Sequence, residues 1–119
     1  MHRAVELEKD LIQFSVSVIT FLKKVEKDIP RSLADQLIRS ATSVGANYTE
    51  AINGSSKADF KNKIYIAKKE ASETKYWLNI IKELCQPENV DELLDEIQKY
   101  IMILQKTVNT LNGKTKHEK

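Results

Sequence analysis

Gln36, Ser40, Ser43, Asn47 and Glu50 follow one another at steps of four, three, four and three residues. On a helix that spacing stacks them into one polar row. A second stretch offers Lys63, Glu70 and Glu73, and Arg39 stands beside the first row. Two carboxylates brought together, such as Glu50 and Glu70, are raw material for a general acid and base, because repulsion splits their proton affinities. No Ser/His or Cys/His pair, phosphate-cradling glycine loop or cofactor fingerprint accompanies them, so no catalytic residue and no cofactor is expected. The reading is a polar network of Arg39, Ser43, Asn47, Glu50, Lys63, Glu70 and Glu73. In it Asn47 donates to one carboxylate while Lys63 or Arg39 balances another, since a partly buried charge persists only when paired. A small-molecule site along Asn47, Glu50 and Glu70 is the alternative use of the same residues.

The carboxylates do not read as metal ligands. A di-iron helical bundle takes Glu from two helices and Glu-x-x-His from the other two, whereas the histidines here are His2 and His117, near the two ends. The lone Cys85 falls on an apolar stripe beside Leu78 and Ile81 and reads as a buried, inert thiol. It cannot form an internal disulfide, which together with the charged start of the chain points to a reducing cytoplasm. Charges recur too often for a membrane span of roughly 18 apolar residues, so no membrane association is expected.

Residues 57–75 carry six lysines against three carboxylates, while the stretch after 90 opens with Asp91, Glu92, Asp95 and Glu96. Lysines on one helix face can be a solvated surface, or a patch that meets phosphates once several copies are arranged around an axis. Lys57, Lys61, Lys68 and Lys69 are the candidate contacts to RNA or DNA. Binding is expected to be weak and non-specific, because no helix-turn-helix or zinc module is visible and aromatic interleaving is limited to Phe60 and Tyr65. A scaffold that docks a protein partner and touches no nucleic acid is the rival reading.

Positioning these side chains requires helices. The chain has 119 residues, only 3 Gly and 2 Pro, 30% charged residues, and a net charge of +2 from 19 basic and 17 acidic groups. That length suits one core, and so little turn-forming material argues against sandwiches and alternating α/β folds. Apolar residues recur at three- and four-residue steps over about 4–27, 32–52, 57–84 and 90–111, with a frayed tail at 112–119. Ile29-Pro30 ends the first run, and Ser32 with Asp35 is read as the cap of the second. Asn53-Gly54 ends that run, with glycine taking a left-handed cap; Ser56 with Asp59 opens the third, Pro87 closes it, Asn89 caps the fourth and Asn112-Gly113 stops it. The inner face of the fourth run is read as Val90, Leu93, Leu94, Ile97, Ile101, Leu104, Val108 and Leu111. Three short connections predict one all-α domain, an antiparallel up-down-up-down four-helix bundle.

Two helices are apolar on a second side. Val5, Ile12, Val16 and Ile19 form a row roughly opposite the main stripe of the first helix, and Ile66, Trp77, Ile80 and Leu84 form another on the third. Patches of this size predict that sister copies cover them in a homo-oligomer.

The run Ile38-Arg39-Ser40-Ala41-Thr42-Ser43-Val44-Gly45-Ala46-Asn47-Tyr48-Thr49-Glu50-Ala51 is followed by Ser56-Lys57-Ala58-Asp59-Phe60 and by Ala67-Lys68-Lys69-Glu70-Ala71-Ser72-Glu73-Thr74-Lys75-Tyr76-Trp77-Leu78. These segments resemble the bacterial four-helix bundle proteins first linked to reading frames inside intervening sequences of 23S ribosomal RNA genes. The resemblance is close over the second and third helices and extends to the first and fourth in pattern. It implies a homopentameric ring of four-helix bundles, similar to the accessory protein of diversity-generating retroelements, which binds nucleic acid and a reverse transcriptase.

Overall fold

Leu11, Phe14, Val18, Phe21, Leu22 and Val25 keep the helical period without a break, and the computed structural model, which describes residues 2–113, forms α1 over His2–Val25. A single 3₁₀ turn, Glu26–Asp28, then carries the chain to Ile29, which is extended (φ −135°, ψ 156°), as a residue before proline must be. The helix therefore ends two residues before the expected Lys27, its last turn tightening to reach the proline. Of the tail expected to fray at 112–119, Asn112 and Gly113 instead form a hydrogen-bonded turn, and residues 114–119, His117 included, lie outside the described residues, as does the side chain of His2.

The second helix, α2, spans Arg31–Ile52. Its cap is Pro30, whose carbonyl accepts from the amides of Leu33 and Ala34 at 3.1 and 3.2 Å, and not Ser32 as the sequence suggested. Proline's fixed φ of −61° with ψ 143° already turns the chain into the helix, so Ser32 falls inside the first turn. At the other end Gly54 does not take a left-handed conformation. Asn53 closes the helix instead, its backbone and side-chain amides both donating to the carbonyl of Thr49 at 3.2 and 3.0 Å.

Ser56 starts α3, Lys57–Cys85, by accepting from the amide of Asp59 at 3.0 Å. Gln86 ends it in the left-handed region (φ 44°) just before Pro87. The last helix, α4, covers Val90–Leu111. Asn89 stands at its cap position but at φ 73°, so its side chain makes no capping bond and its carbonyl accepts from Leu93 at 3.2 Å. Asparagine tolerates that left-handed turn better than most side chains. Gly113 follows the helix at φ 75°, the stop expected of it.

Each helix runs antiparallel to the one before it and packs against it, which gives the up-down-up-down bundle; α1 touches α4 more sparsely. Ile64, Leu78, Ile81, Ile97 and Leu104 meet Leu37 and Val44 in a core shielded from water. Tyr100, which the sequence reading left off the inner face of α4, is fully buried, on the row Val90, Leu93, Ile97, Tyr100, Leu104 and Val108, whereas Leu94, Ile101 and Leu111 are only half-buried. Its ring meets Phe14 edge-on at 5.6 Å. Its hydroxyl donates to Glu96 Oε2 at 2.7 Å, which carries the polar tip to the edge of the core. Burial, reinforced by the Glu96 carboxylate, pushes the phenol's pKa far up, so it stays a neutral donor. Cys85, read as buried, is half-buried at the last position of α3, its Sγ 3.7 Å from the carbonyl of Ile81.

Candidate functional site

The polar row of α2 does meet the charged edge of α3. Arg39 donates from Nη2 to Glu73 Oε1 at 2.6 Å, from Nη1 to Glu70 Oε1 at 3.1 Å and from Nε to Gln36 at 3.2 Å. Lys63 Nζ lies 2.7 Å from Glu50 Oε1. The Arg39 hydrogen bond holds the Glu73 carboxyl below the usual carboxylate range, with Lys69 adding to the effect. Beneath these pairs, in the interior, Thr74 Oγ1 lies 2.9 Å from Ser40 Oγ. Sequence reading placed Ser40 on the flank of the stripe and did not single out Thr74; both are fully buried.

One expected link is absent. Asn47 donates to the carbonyl of Ser43, 2.9 Å away on its own helix, and reaches no carboxylate. An amide one turn on finds the helix's own carbonyl within reach, so the carboxylates are left to the longer arginine and lysine side chains. Ser43 is half-buried beside it. Nor do Glu50 and Glu70 form an acid and base pair. Glu50 lies level with Lys63, seven residues before Glu70 on α3, a separation of about 10 Å along the helix axis. Among the described residues with placed side chains no three His, Cys, Asp or Glu groups are close enough to hold a metal ion. The arrangement ties α2 to α3 through paired charges.

The lysines of α3 show an order that the charge sum concealed. Lys61, Lys68, Lys75 and Lys82 recur every seven residues, and Gln105, Gln98 and Asp91 recur every seven on α4 in the opposite direction. Lys75 Nζ donates to Gln98 Oε1 at 2.7 Å and Lys82 pairs with Asp91 at 2.8 Å. That register sets Lys68 level with Gln105, and both line an open groove of about 650 Å³ between the helices, with Ser72, Ile101, Asn109 and Lys106. The described residues lining it include two lysines and no carboxylate. Lys57 and Lys61 continue the row toward the start of α3, exposed. Lys69 is exposed one residue round the helix, on the Glu73 side, and is separated from the other three. Sequence reading missed Gln98, Gln105 and Lys106; the seven-residue spacing of the two glutamines against the lysines was the signal that could have found them, and Lys106 follows Gln105 directly.

Of the residues expected to meet sister copies, Val5, Ile12, Val16, Ile19 and Leu84 are exposed, and Ile38 of α2 adds to the exposed apolar surface. Ile66, Trp77 and Ile80 are half-buried, Trp77 and Ile80 packing on the bundle's own core. The Trp77 indole Nε1 is buried with no hydrogen-bond partner among the described residues. No helix among the described residues is long and apolar enough to cross a membrane.

Comparison with known proteins places this geometry. The model of a family described as 23S rRNA-intervening sequence protein matches residues 3–106. A solved structure, that of a protein with unknown function from the S23 ribosomal protein family of Bacteroides thetaiotaomicron VPI-5482, is similar with a TM-score of 0.75 and 31% identity. The match covers 85% of this chain and 96% of that one. No match is found among curated proteins.

Proposed function

We propose a nucleic-acid-binding role for this chain, which belongs to the 23S rRNA-intervening sequence protein family: a non-catalytic helical module that, as a homo-oligomer, binds RNA or DNA weakly and without sequence preference. The observation that carries the reading is a division among the cations. Arg39, Lys63 and Lys82 are each engaged by a carboxylate, whereas Lys57, Lys61, Lys68 and Lys106 make no ion pair among the described residues. Unneutralised ammonium groups in a line along one seam attract a polyanion and release its counterions. The amides of α4 beside them are uncharged, so phosphates meet no repulsion in the groove.

The non-catalytic part of the reading is supported by the pairing of Glu50, Glu70 and Glu73. The homo-oligomer is supported by the exposure of Val5, Ile12, Val16 and Leu84, and the pentameric number by the family resemblance alone. Repetition of a weak lysine row around an axis raises the apparent affinity for a long polyanion without any new contact.

Fluorescence anisotropy of labelled RNA and DNA across a salt series tests the reading. The affinity is expected to fall steeply with salt, the logarithmic slope losing about 0.7 to 0.9 for each lysine contact removed in Lys61→Gln or Lys68→Gln. Absence of binding at low salt would defeat it and leave the protein-docking scaffold. A monomeric mass by light scattering at micromolar concentration would defeat the oligomer.

A further inference from the structure

The lysine row has an aromatic companion. Tyr65 is 41% exposed and Tyr76 is 59% exposed, and neither belongs to the core. They stand eleven residues apart on α3, which brings them to within about 20° of one another around the helix and about 16 Å apart along it. Ser72 lies on the same line; around the helix Lys61 and Lys68 stand about 40° to 80° from the two rings, Lys75 about 80° to 100°, and Lys69 about 20° to 40° on the other side. Phe60, the other aromatic that the sequence set among the lysines, is half-buried and packs against the core, so it is withdrawn from this face.

Both rings are held. The Tyr65 hydroxyl accepts from Asn112 Nδ2 at 2.8 Å, and the Tyr76 ring meets the indole of Trp77 edge-on with centroids 5.2 Å apart. A ring already fixed in place loses little freedom when a flat partner settles on it, so its apolar face is available at low entropic cost. Lysines that meet phosphates need a polyanion; exposed rings between them gain from a π-face. A duplex hides its base faces in its own stack and presents only backbone and edges, whereas an unpaired strand offers both phosphates and base faces.

Resting on the nucleic-acid reading above, we infer that the strand held along α3 is single-stranded, its phosphates on Lys61, Lys68 and Lys75 and two of its bases stacked on Tyr65 and Tyr76. The distance between the rings accommodates a few nucleotides, within the range of roughly 4 to 16 per site known for single-strand binders.

The test uses the full chain with labelled oligo(dT) and oligo(U) of about 20 nucleotides and a mixed-sequence duplex of equal length, at low salt. The single strands are expected to bind about tenfold or more tightly than the duplex. Tyr76→Ala and Tyr65→Ala should each weaken single-strand binding by about 5- to 100-fold and leave duplex binding unchanged. Tyr76→Phe should stay within about twofold of the parent, because the ring carries the contact. Trp77, the single tryptophan, should change its emission when a base settles on Tyr76. Equal affinity for duplex, with the tyrosine variants silent and Lys68→Gln weakening both, would overturn this inference and leave the polyanion reading standing. Failure to bind either form would remove both.

Discussion

Replacing Thr74 by valine keeps the outline of the side chain and deletes one hydroxyl from the interface of α2 and α3. Thr74 and Ser40 are each 0% exposed. Thr74 Oγ1 lies 2.9 Å from Ser40 Oγ and 2.8 Å from the carbonyl of Glu70, and Ser40 Oγ lies 3.3 Å from the carbonyl of Leu37. Two protons thus serve these contacts, and either hydroxyl retains a backbone acceptor on its own helix when the other is removed. Neither single variant strands a buried donor, so each loses one inter-helix hydrogen bond, worth about 1 kcal/mol. With both hydroxyls gone, the second removal costs little more, because the bond it would break is already absent. The double variant Ser40→Ala with Thr74→Val should therefore be less destabilised than the sum of the two by about 1 kcal/mol. Urea unfolding followed by circular dichroism, at one fixed protein concentration, reads this as midpoint shifts with the denaturant slope unchanged. Additive losses would refute the reasoning, since they mean that the hydroxyls do not bond to each other. Single losses above about 3 kcal/mol would do so too, because they mean a buried donor was left unsatisfied.

Gly45 packs against α1, and a Cβ added there would sit 3.3 Å from Leu11 Cβ, an atom fixed to the α1 backbone. Gly45→Ala should change stability by no more than about 1 kcal/mol, the gain in helix propensity offsetting the tight contact, whereas Gly45→Leu should cost about 2 kcal/mol or more by forcing the helices apart; thermal unfolding measures both. The Arg39 hydrogen bond lowers the Glu73 pKa in the folded state, so its contribution is present above the ordinary carboxylate pKa and is lost as the solution is acidified below it. Unfolding midpoints from pH 7 to pH 3 should therefore fall less in Arg39→Met than in the parent chain, the difference being small because both side chains are partly exposed. An identical decline in the two would show that the pair contributes nothing.

The number of helices, their order and most of their buried faces were legible in the chain because each depends on neighbours three and four residues away. The row from Leu11 to Val25 and the Ser56 cap of α3 are of this kind. So was the family, through the segments around Asn47 and Glu70. Details that failed were those in which a local signal had competition. Ser32 and Gly54 carried good capping chemistry, but Pro30 and Asn53 supplied the geometry first. Asn47 lay on the right face and spent its donor on its own helix.

What only the tertiary structure decided is how each helix is turned about its axis and how far it slides along its neighbour. A turn of a few tens of degrees buries Tyr100 in place of Ile101, and no local rule fixes that angle, since it is set by Phe14 on a helix some 90 residues away in sequence. The slide between α3 and α4, fixed by Lys75 with Gln98 and Lys82 with Asp91, decides that the lysines nearer the start of α3 face amides and remain unpaired. Periodicity shows which residues share a face; only packing across the bundle selects the partners, because those contacts join residues that the chain itself keeps far apart.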